Sequence, residues 1–201
     1  MSAISPAHLQ RAVEILRRGG VVAYPTDTLY GLAVDPRSDE AVQRLFGVKE
    51  REQGRAVPLI AASLEQASQA AVFTDVARRA AAALWPGPLT FVLEATAAVA
   101  RGARADDGSV AIRVPASGIA RQLAEALGFC VTATSANRSG EPPSASAVAV
   151  SHALGDRIDL VLDGGDTPGG LPSTIVDLRG AVPKLVRAGA TAWDRVLRSI
   201  Q

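Results

Sequence analysis

The chain has 201 residues, 48% of them hydrophobic and 20% charged, with a formal net charge of +1. That balance belongs to a soluble globular protein long enough for a well-buried core, and it carries no chain-wide basic signal for nucleic acid, although a local basic groove is compatible with it. The single cysteine, Cys130, excludes a disulfide within the chain, fits a reducing compartment and reads as a small buried hydrophobe in an apolar strand. No apolar signal core opens the chain and no apolar run approaches the roughly 18 residues of a membrane span, so the expected location is cytoplasmic, with no membrane partner.

The spacing of Leu9, Val13 and Leu16 predicts an amphipathic helix over Pro6–Arg18, capped by Ser5 and stopped by Gly19 and Gly20. A short buried strand follows at Val21–Tyr24, then a helix at Ser38–Val48 and a strand at Val57–Ala61. Asp75–Leu84 is an alanine-rich helix ended by Pro86-Gly87-Pro88, with a strand at Leu89–Leu93. Ser109–Val114 alternates as a strand closed by Pro115, and Ser117–Leu127 is a helix ended by Gly128. A strand at Cys130–Thr134, a helix at Ala145–Leu154 and a strand at Ile158–Leu162 come next. Late strands at Ser173–Asp177 and Lys184–Arg187 precede a closing helix at Thr191–Ile200. Interleaved helices and strands predict an α/β fold, and consecutive late strands without a helix between them make its sheet mixed. No internal repeat and no long linker is present, so residues 1–201 are read as one domain.

Ligands of open α/β sheets gather beyond the carboxyl ends of strands. The first strand runs into Thr26-Asp27-Thr28, the strand at Cys130 into Ser135-Ala136-Asn137 and Ser139-Gly140, and the strand at Ile158 into Asp163-Gly164-Gly165-Asp166. Arg113 lies at the end of its strand, and Ser173-Thr174 at the start of another. Any one of these clusters is ordinary turn chemistry. Several together, with Lys49, Arg51, Arg55 and Arg187 as basic companions, point to a ligand pocket. If the Lys49-Glu50-Arg51 segment is extended, Lys49 and Arg51 share one face and suit a polyphosphate; Glu50 and Glu52 are the neighbours that would neutralise them.

Familiar catalytic signatures are missing. There is no G-x-x-x-x-G-K-[ST] loop and no G-x-G-x-x-G turn after a strand. His8 and His152 sit far apart on predicted helices without metal-ligand spacing, and no Ser–His–Asp or Cys–His arrangement is suggested. Trp85 reads as part of a packed turn, with Thr90 close enough in sequence to face the same pocket.

Seven segments occur in an order that resembles a known family: Tyr24-Pro25-Thr26-Asp27-Thr28-Leu29-Tyr30-Gly31-Leu32, Lys49-x-Arg51, Trp85-Pro86-Gly87-Pro88-Leu89-Thr90, Val110-Ala111-Ile112-Arg113-Val114-Pro115, Thr134-Ser135-Ala136-Asn137-x-Ser139-Gly140, Ser173-Thr174-Ile175-Val176-Asp177 and Leu185-Val186-Arg187-x-Gly189. The chain resembles the YrdC-type L-threonylcarbamoyladenylate synthases over roughly residues 8 to 190, in the short, TsaC-like form without an extra C-terminal domain. The resemblance implies a single-domain twisted mixed sheet with flanking helices around a large basic cavity. It also implies a reaction in which L-threonine, bicarbonate and ATP give threonylcarbamoyl-AMP and pyrophosphate, for later transfer to tRNA by a separate transferase complex.

Carried over motif by motif, the resemblance assigns Thr26, Arg113 and Ser173 to threonine, with Arg113 on the substrate carboxylate. It assigns Thr28, Lys49, Arg51, Ser135, Asn137 and Arg187 to the nucleotide. Lys49 and Arg51 are the catalytic candidates, through phosphate positioning and charge, and magnesium is expected to arrive with ATP. No residue is assigned as a general base. Two segments depart from the family pattern: Glu52–Val57 after Arg51, and Ala61-Ala62-Ser63 where longer relatives carry a histidine. Two alternatives remain at this level, a module that binds double-stranded RNA or tRNA through the basic residues, and a paralogue without synthase activity.

Overall fold

The computed structural model describes residues 4–50 and 56–201. In chain order the elements are α1 Pro6–Arg17, β1 Val22–Pro25, β2 Tyr30–Ala33, α2 Asp39–Lys49, β3 Leu59–Ile60, α3 Leu64–Ala70, β4 Ala71–Val72, α4 Asp75–Leu84, β5 Leu89–Ala95, β6 Ser109–Arg113, α5 Gly118–Leu127, β7 Val131–Thr132, β8 Thr134–Ser135, α6 Ala147–Leu154, β9 Leu160–Val161, β10 Thr174–Asp177, β11 Lys184–Arg187 and α7 Trp193–Ser199.

Local chemistry explains the helix ends. Ser5, Ser38, Ser63, Thr74, Ser117 and Ser146 each accept an amide N–H of the first turn through their hydroxyl, and Pro6 sits where a missing N–H costs nothing. Gly128 takes the left-handed conformation that ends α5, at φ +80°. α2 runs one residue beyond its expected end and closes on Glu50, a non-glycine in the left-handed region at φ 52°.

The strands form two mixed sheets. The first has the order β8-β2-β1-β9, with β1 and β2 an antiparallel hairpin pairing Pro25 with Tyr30, and β9 parallel to β1. The second has the order β11-β10-β5-β6-β3-β7, with β4 added beside β5; β10 runs parallel to β5 and β3 parallel to β6. The α/β class and the mixed pairing follow the sequence expectation. The expected strand over Cys130–Thr134 divides into β7 and β8, which belong to different sheets. Between them Ala133 donates its N–H to Pro58 O at 2.7 Å, and the chain bends there from one sheet to the other. Thr132, fully buried, ties the crossing to the hairpin: its hydroxyl donates to Leu32 O at 3.0 Å and accepts from Val34 N at 2.9 Å.

Apolar burial holds the layers together. Val13 and Leu16 of α1 and Leu123 and Leu127 of α5 pack on Val22, Tyr24, Ile60 and Val131. A larger cluster spans both sheets through Tyr30, Leu32, Leu59, Phe91, Ile112 and Val176, and contains Cys130. The Cys130 thiol is fully covered, and burial pushes its pKa up to about 12, so it behaves as the small hydrophobe its context implied. Trp85 stacks on Phe91 with ring centroids 4.5 Å apart and donates its indole N–H to Leu89 O, which is the packed turn expected of it.

Candidate functional site

The turn between β1 and β2 is built by Thr26. Its hydroxyl donates to Leu29 O at 2.7 Å and accepts from the N–H groups of Thr28 and Leu29 at 3.2 and 3.4 Å, while its own N–H reaches Leu29 O. Thr26 is buried, and Thr28 lies beside it with the two hydroxyl oxygens 3.3 Å apart. Turn chemistry and pocket lining therefore coincide at this position, where the sequence presents them as competing readings. The hairpin also anchors the loop after β9: Gly169 donates to Thr28 O at 3.0 Å, and the Tyr30 hydroxyl donates to Gly165 O at 2.9 Å.

Arg113 ends β6 and meets Asp27 of the turn. Nη1 lies 2.9 Å from Asp27 Oδ2 and Nη2 2.8 Å from Asp27 Oδ1, a two-bond pairing between largely covered side chains. The pair borders Tyr24, which is fully buried and donates its hydroxyl to Thr132 O at 2.8 Å. Burial raises the Tyr24 pKa; Arg113 pulls it down and Asp27 pushes it up. Asp27 is the site residue that sequence reading left unassigned. Its only sequence signal was a carboxylate among hydroxyls; the arginine it meets is 86 positions away.

Lys49 does not lie on an extended segment alternating with Arg51. It is the last helical residue of α2, followed by the left-handed Glu50, and its side chain is buried. Its ammonium donates to Ser135 O at 2.6 Å and Asn137 O at 2.9 Å, with Asn137 Oδ1 at 3.5 Å. The Lys49 carbonyl in turn accepts from Ser139 N at 2.9 Å, so the helix end grips the Ser135–Ser139 loop through both side chain and backbone. The Asn137 amide donates to Arg138 O and Glu141 O, shaping the same loop. The reason for the difference is the α2 C-terminus: helical continuation through Lys49 directs the ammonium at a row of backbone carbonyls. Arg51 and Arg55 lie outside the described residues.

On the second sheet Thr90 of β5 meets Ser173, hydroxyl to hydroxyl at 2.9 Å. Arg187 of β11 folds over the same residue, with Nη2 donating to Ser173 O at 2.7 Å and reaching Ser173 Oγ at 3.2 Å.

Thr26, Thr28, Arg113, Ser135, Ser173 and Arg187 all line one cavity of about 420 Å³, together with Thr90. Its floor and walls come from β2, β3, β5, β6, β8, β10 and β11, so it opens where the two sheets meet. Lys49 and Asn137 stand outside the lining and hold the Ser135 wall. Among the described lining residues the cations are Arg113 and Arg187. A larger cavity, of about 820 Å³, lies between α2 and the 101–108 segment and is lined by none of the candidate residues. Two of its polar groups are engaged locally: Arg104 donates to Val99 O, and Asp39 accepts from Gly102 N.

The Sua5/YciO/YrdC family model, described as "Telomere recombination", matches residues 14–189. The chain belongs to that family. A threonylcarbamoyl-AMP synthase of Xanthomonas campestris pv. campestris is 40% identical over 179 residues, which is 85% of this chain and 93% of the relative. A crystal structure of P. abyssi Sua5 complexed with L-threonine superposes with a TM-score of 0.92 at 34% identity, covering 99% of this chain and 59% of that one. E. coli YciO superposes with a TM-score of 0.86 at 30% identity, over 97% of this chain and 95% of that one. The family member described here thus spans nearly the whole of some relatives and little more than half of others. Among its described residues no helix is long and apolar enough to cross a membrane.

Proposed function

We infer that the protein is a threonylcarbamoyl-AMP synthase, joining L-threonine, bicarbonate and ATP into threonylcarbamoyl-AMP with release of pyrophosphate. The observation that carries this reading is the convergence of Arg113, Thr26, Thr28, Ser135, Ser173 and Arg187 on one cavity of about 420 Å³, within the usual range for small-molecule sites. The names of the relatives, and the threonine complex of the P. abyssi protein, support the same substrate.

The chemistry asks for positioning more than for a protein nucleophile. The threonine nitrogen adds to the carbon of bicarbonate, with loss of water, to give a carbamate. A carbamate oxygen then attacks the α-phosphorus of ATP, and pyrophosphate leaves on the opposite side. Holding carbamate and α-phosphate in line and offsetting the charge of the leaving pyrophosphate are the tasks left to the protein. Arg113 takes the amino-acid carboxylate; Thr26 and Ser173 stand at the same subsite. Thr28, Ser135 and Arg187 face the nucleotide, with Arg51 as a phosphate partner. Asn137 and Lys49 serve the nucleotide subsite by shaping its wall. Magnesium enters as part of the substrate, carried by the ATP phosphates; among the described residues no group of three or more His, Cys, Asp or Glu could hold a metal ion.

The product is a mixed anhydride of a carbamate and a phosphate, reactive toward amines and water. Such a product calls for a transferase that takes it over, and the family resemblance makes a tRNA adenosine the acceptor of the threonylcarbamoyl group. The reading is tested by pyrophosphate release from ATP. Release should require threonine and bicarbonate together; release that ignores threonine would sink the assignment.

A further inference from the structure

Asp27 occupies one edge of the Arg113 guanidinium. The two bonds, at 2.9 and 2.8 Å, engage one N–H of Nη1 and one of Nη2. A guanidinium carries five N–H donors, so Nε–H and the outer N–H of each Nη remain. Among the described residues Arg113 makes no other hydrogen bond. Arg113 lines the cavity whereas Asp27 is not among the lining residues. Asp27 thus takes the end of the guanidinium and leaves its side donors unused, on a residue that lines the cavity. The pair lies near enough to the buried Tyr24 hydroxyl to act on its charge, that hydroxyl is fixed to Thr132 O, and Asp27 itself belongs to the turn that Thr26 closes. Both carriers of the pair are therefore held by the two sheets.

We propose that Asp27 is a positioning and selectivity residue that makes Arg113 a receptor for one carboxylate and closes it to phosphate. The proposal rests on the synthase reading and names a residue that reading does not use. It has two physical parts. Geometrically, the end-on pairing fixes the guanidinium plane, so that its side edge meets a carboxylate without first being ordered. Electrostatically, the Asp27 charge offsets that of the arginine. A singly charged carboxylate still gains two charge-assisted hydrogen bonds. A phosphate dianion or a polyphosphate gains the same bonds but meets the Asp27 carboxylate across the same small group. In a cavity that must hold an amino acid and a triphosphate side by side, this keeps the phosphates out of the amino-acid end. Each charge-assisted hydrogen bond is worth about tenfold or more in affinity, which sets the scale of the effect.

The test compares the wild type with Asp27→Asn, which removes the charge at constant size, and Asp27→Glu, which keeps the charge on a longer arm. Pyrophosphate release is measured against threonine and against ATP, with and without inorganic phosphate. In Asp27→Asn the KM for threonine should rise about tenfold with kcat within about threefold of wild type, and inorganic phosphate should become an inhibitor competitive with threonine. Asp27→Glu should keep the resistance to phosphate. A folded Asp27→Asn with wild-type threonine KM and wild-type indifference to phosphate overturns the proposal. So does a uniform fall of kcat, threonine affinity, ATP affinity and melting temperature in both variants, which would mark a structural residue only. Calorimetric titration with inorganic phosphate alone separates this outcome from failure of the synthase reading. If the wild type shows no threonine-dependent release, tighter phosphate binding by Asp27→Asn than by wild type still supports the role of Asp27, and equal binding overturns it.

Discussion

Replacing Lys49 by methionine should destabilise the protein by an amount the structure sets. Lys49 is 4% exposed, so methionine can follow most of its aliphatic stem. What disappears is the ammonium, with its bonds of 2.6 Å to Ser135 O and 2.9 Å to Asn137 O. Hydrogen bonds from a charged donor contribute about 1.5–3 kcal/mol each, and a buried carbonyl left without a donor costs a comparable amount. Counting the two bonds once, without adding the carbonyl penalty a second time, puts the loss at about 3–6 kcal/mol. In a chain of this length each kcal/mol moves the melting temperature by about 2–4 °C, so a fall of about 6–24 °C is expected. Scanning calorimetry and urea titration measure it, and the added stabilisation by ATP reads nucleotide binding separately. A melting temperature within about 2 °C of wild type, with activity lost, would refute the reasoning and move the ammonium from the Ser135 wall to the phosphates.

Gly189→Ala should distort the threonine end of the cavity from behind. An added Cβ would lie 2.3 Å from Pro172 O and 2.6 Å from both Ser173 C and Thr174 N, all of them backbone atoms. A cost of about 1–3 kcal/mol in urea titration, with a raised threonine requirement, is expected; wild-type stability would show that the 172–174 backbone yields freely. Asp107 predicts an acid limb. Bonds from the Ser109 hydroxyl and from Arg179 hold its carboxyl down at about 2, below its ordinary range, so its contribution is present above pH 4 and is lost as pH falls through about 2. Because the side chain is largely exposed, the stability difference between wild type and Asp107→Asn should stay under about 1 kcal/mol at pH 6 and vanish below pH 2; a difference that persists at low pH would contradict it.

The elements most legible in the sequence were those with local signals. α4 and β11 fall on their expected limits, and α1 starts after the Ser5 cap that announces it; Ser38 and Ser117, read as the first residues of their helices, are the caps of α2 and α5. The missed elements lack such signals. β2 follows the polar Thr26-Asp27-Thr28 cluster so closely that no separate strand is read there, yet Tyr30–Ala33 is wholly buried, paired with β1 and β8 and packed into the core clusters on both faces. α3 is only seven residues long and shows little apolar periodicity; Gln66 is buried there because its amide bridges Ala62 N–H and Ala124 O. The division of 130–134 between two sheets depends on pairing with β3 and β2, which no local pattern encodes.

The site divides along the same line. Arg113, Ser135 and Ser173 stand out by position and type at strand termini, and the structure gathers them around one cavity. Lys49 and Asp27 act on other residues, and what they do is visible only once the sheets meet. Thr26 shows what the structure adds beyond location. Its hydroxyl has one proton, and that proton goes to Leu29 O. Toward the cavity Thr26 can therefore only accept, in competition with two long bonds from Thr28 and Leu29. A carboxylate, which also only accepts, has no place there. In the synthase reading the amine end of threonine belongs at Thr26 and the carboxylate at Arg113, and the strain-free turn that once competed with a functional reading is what sets that orientation.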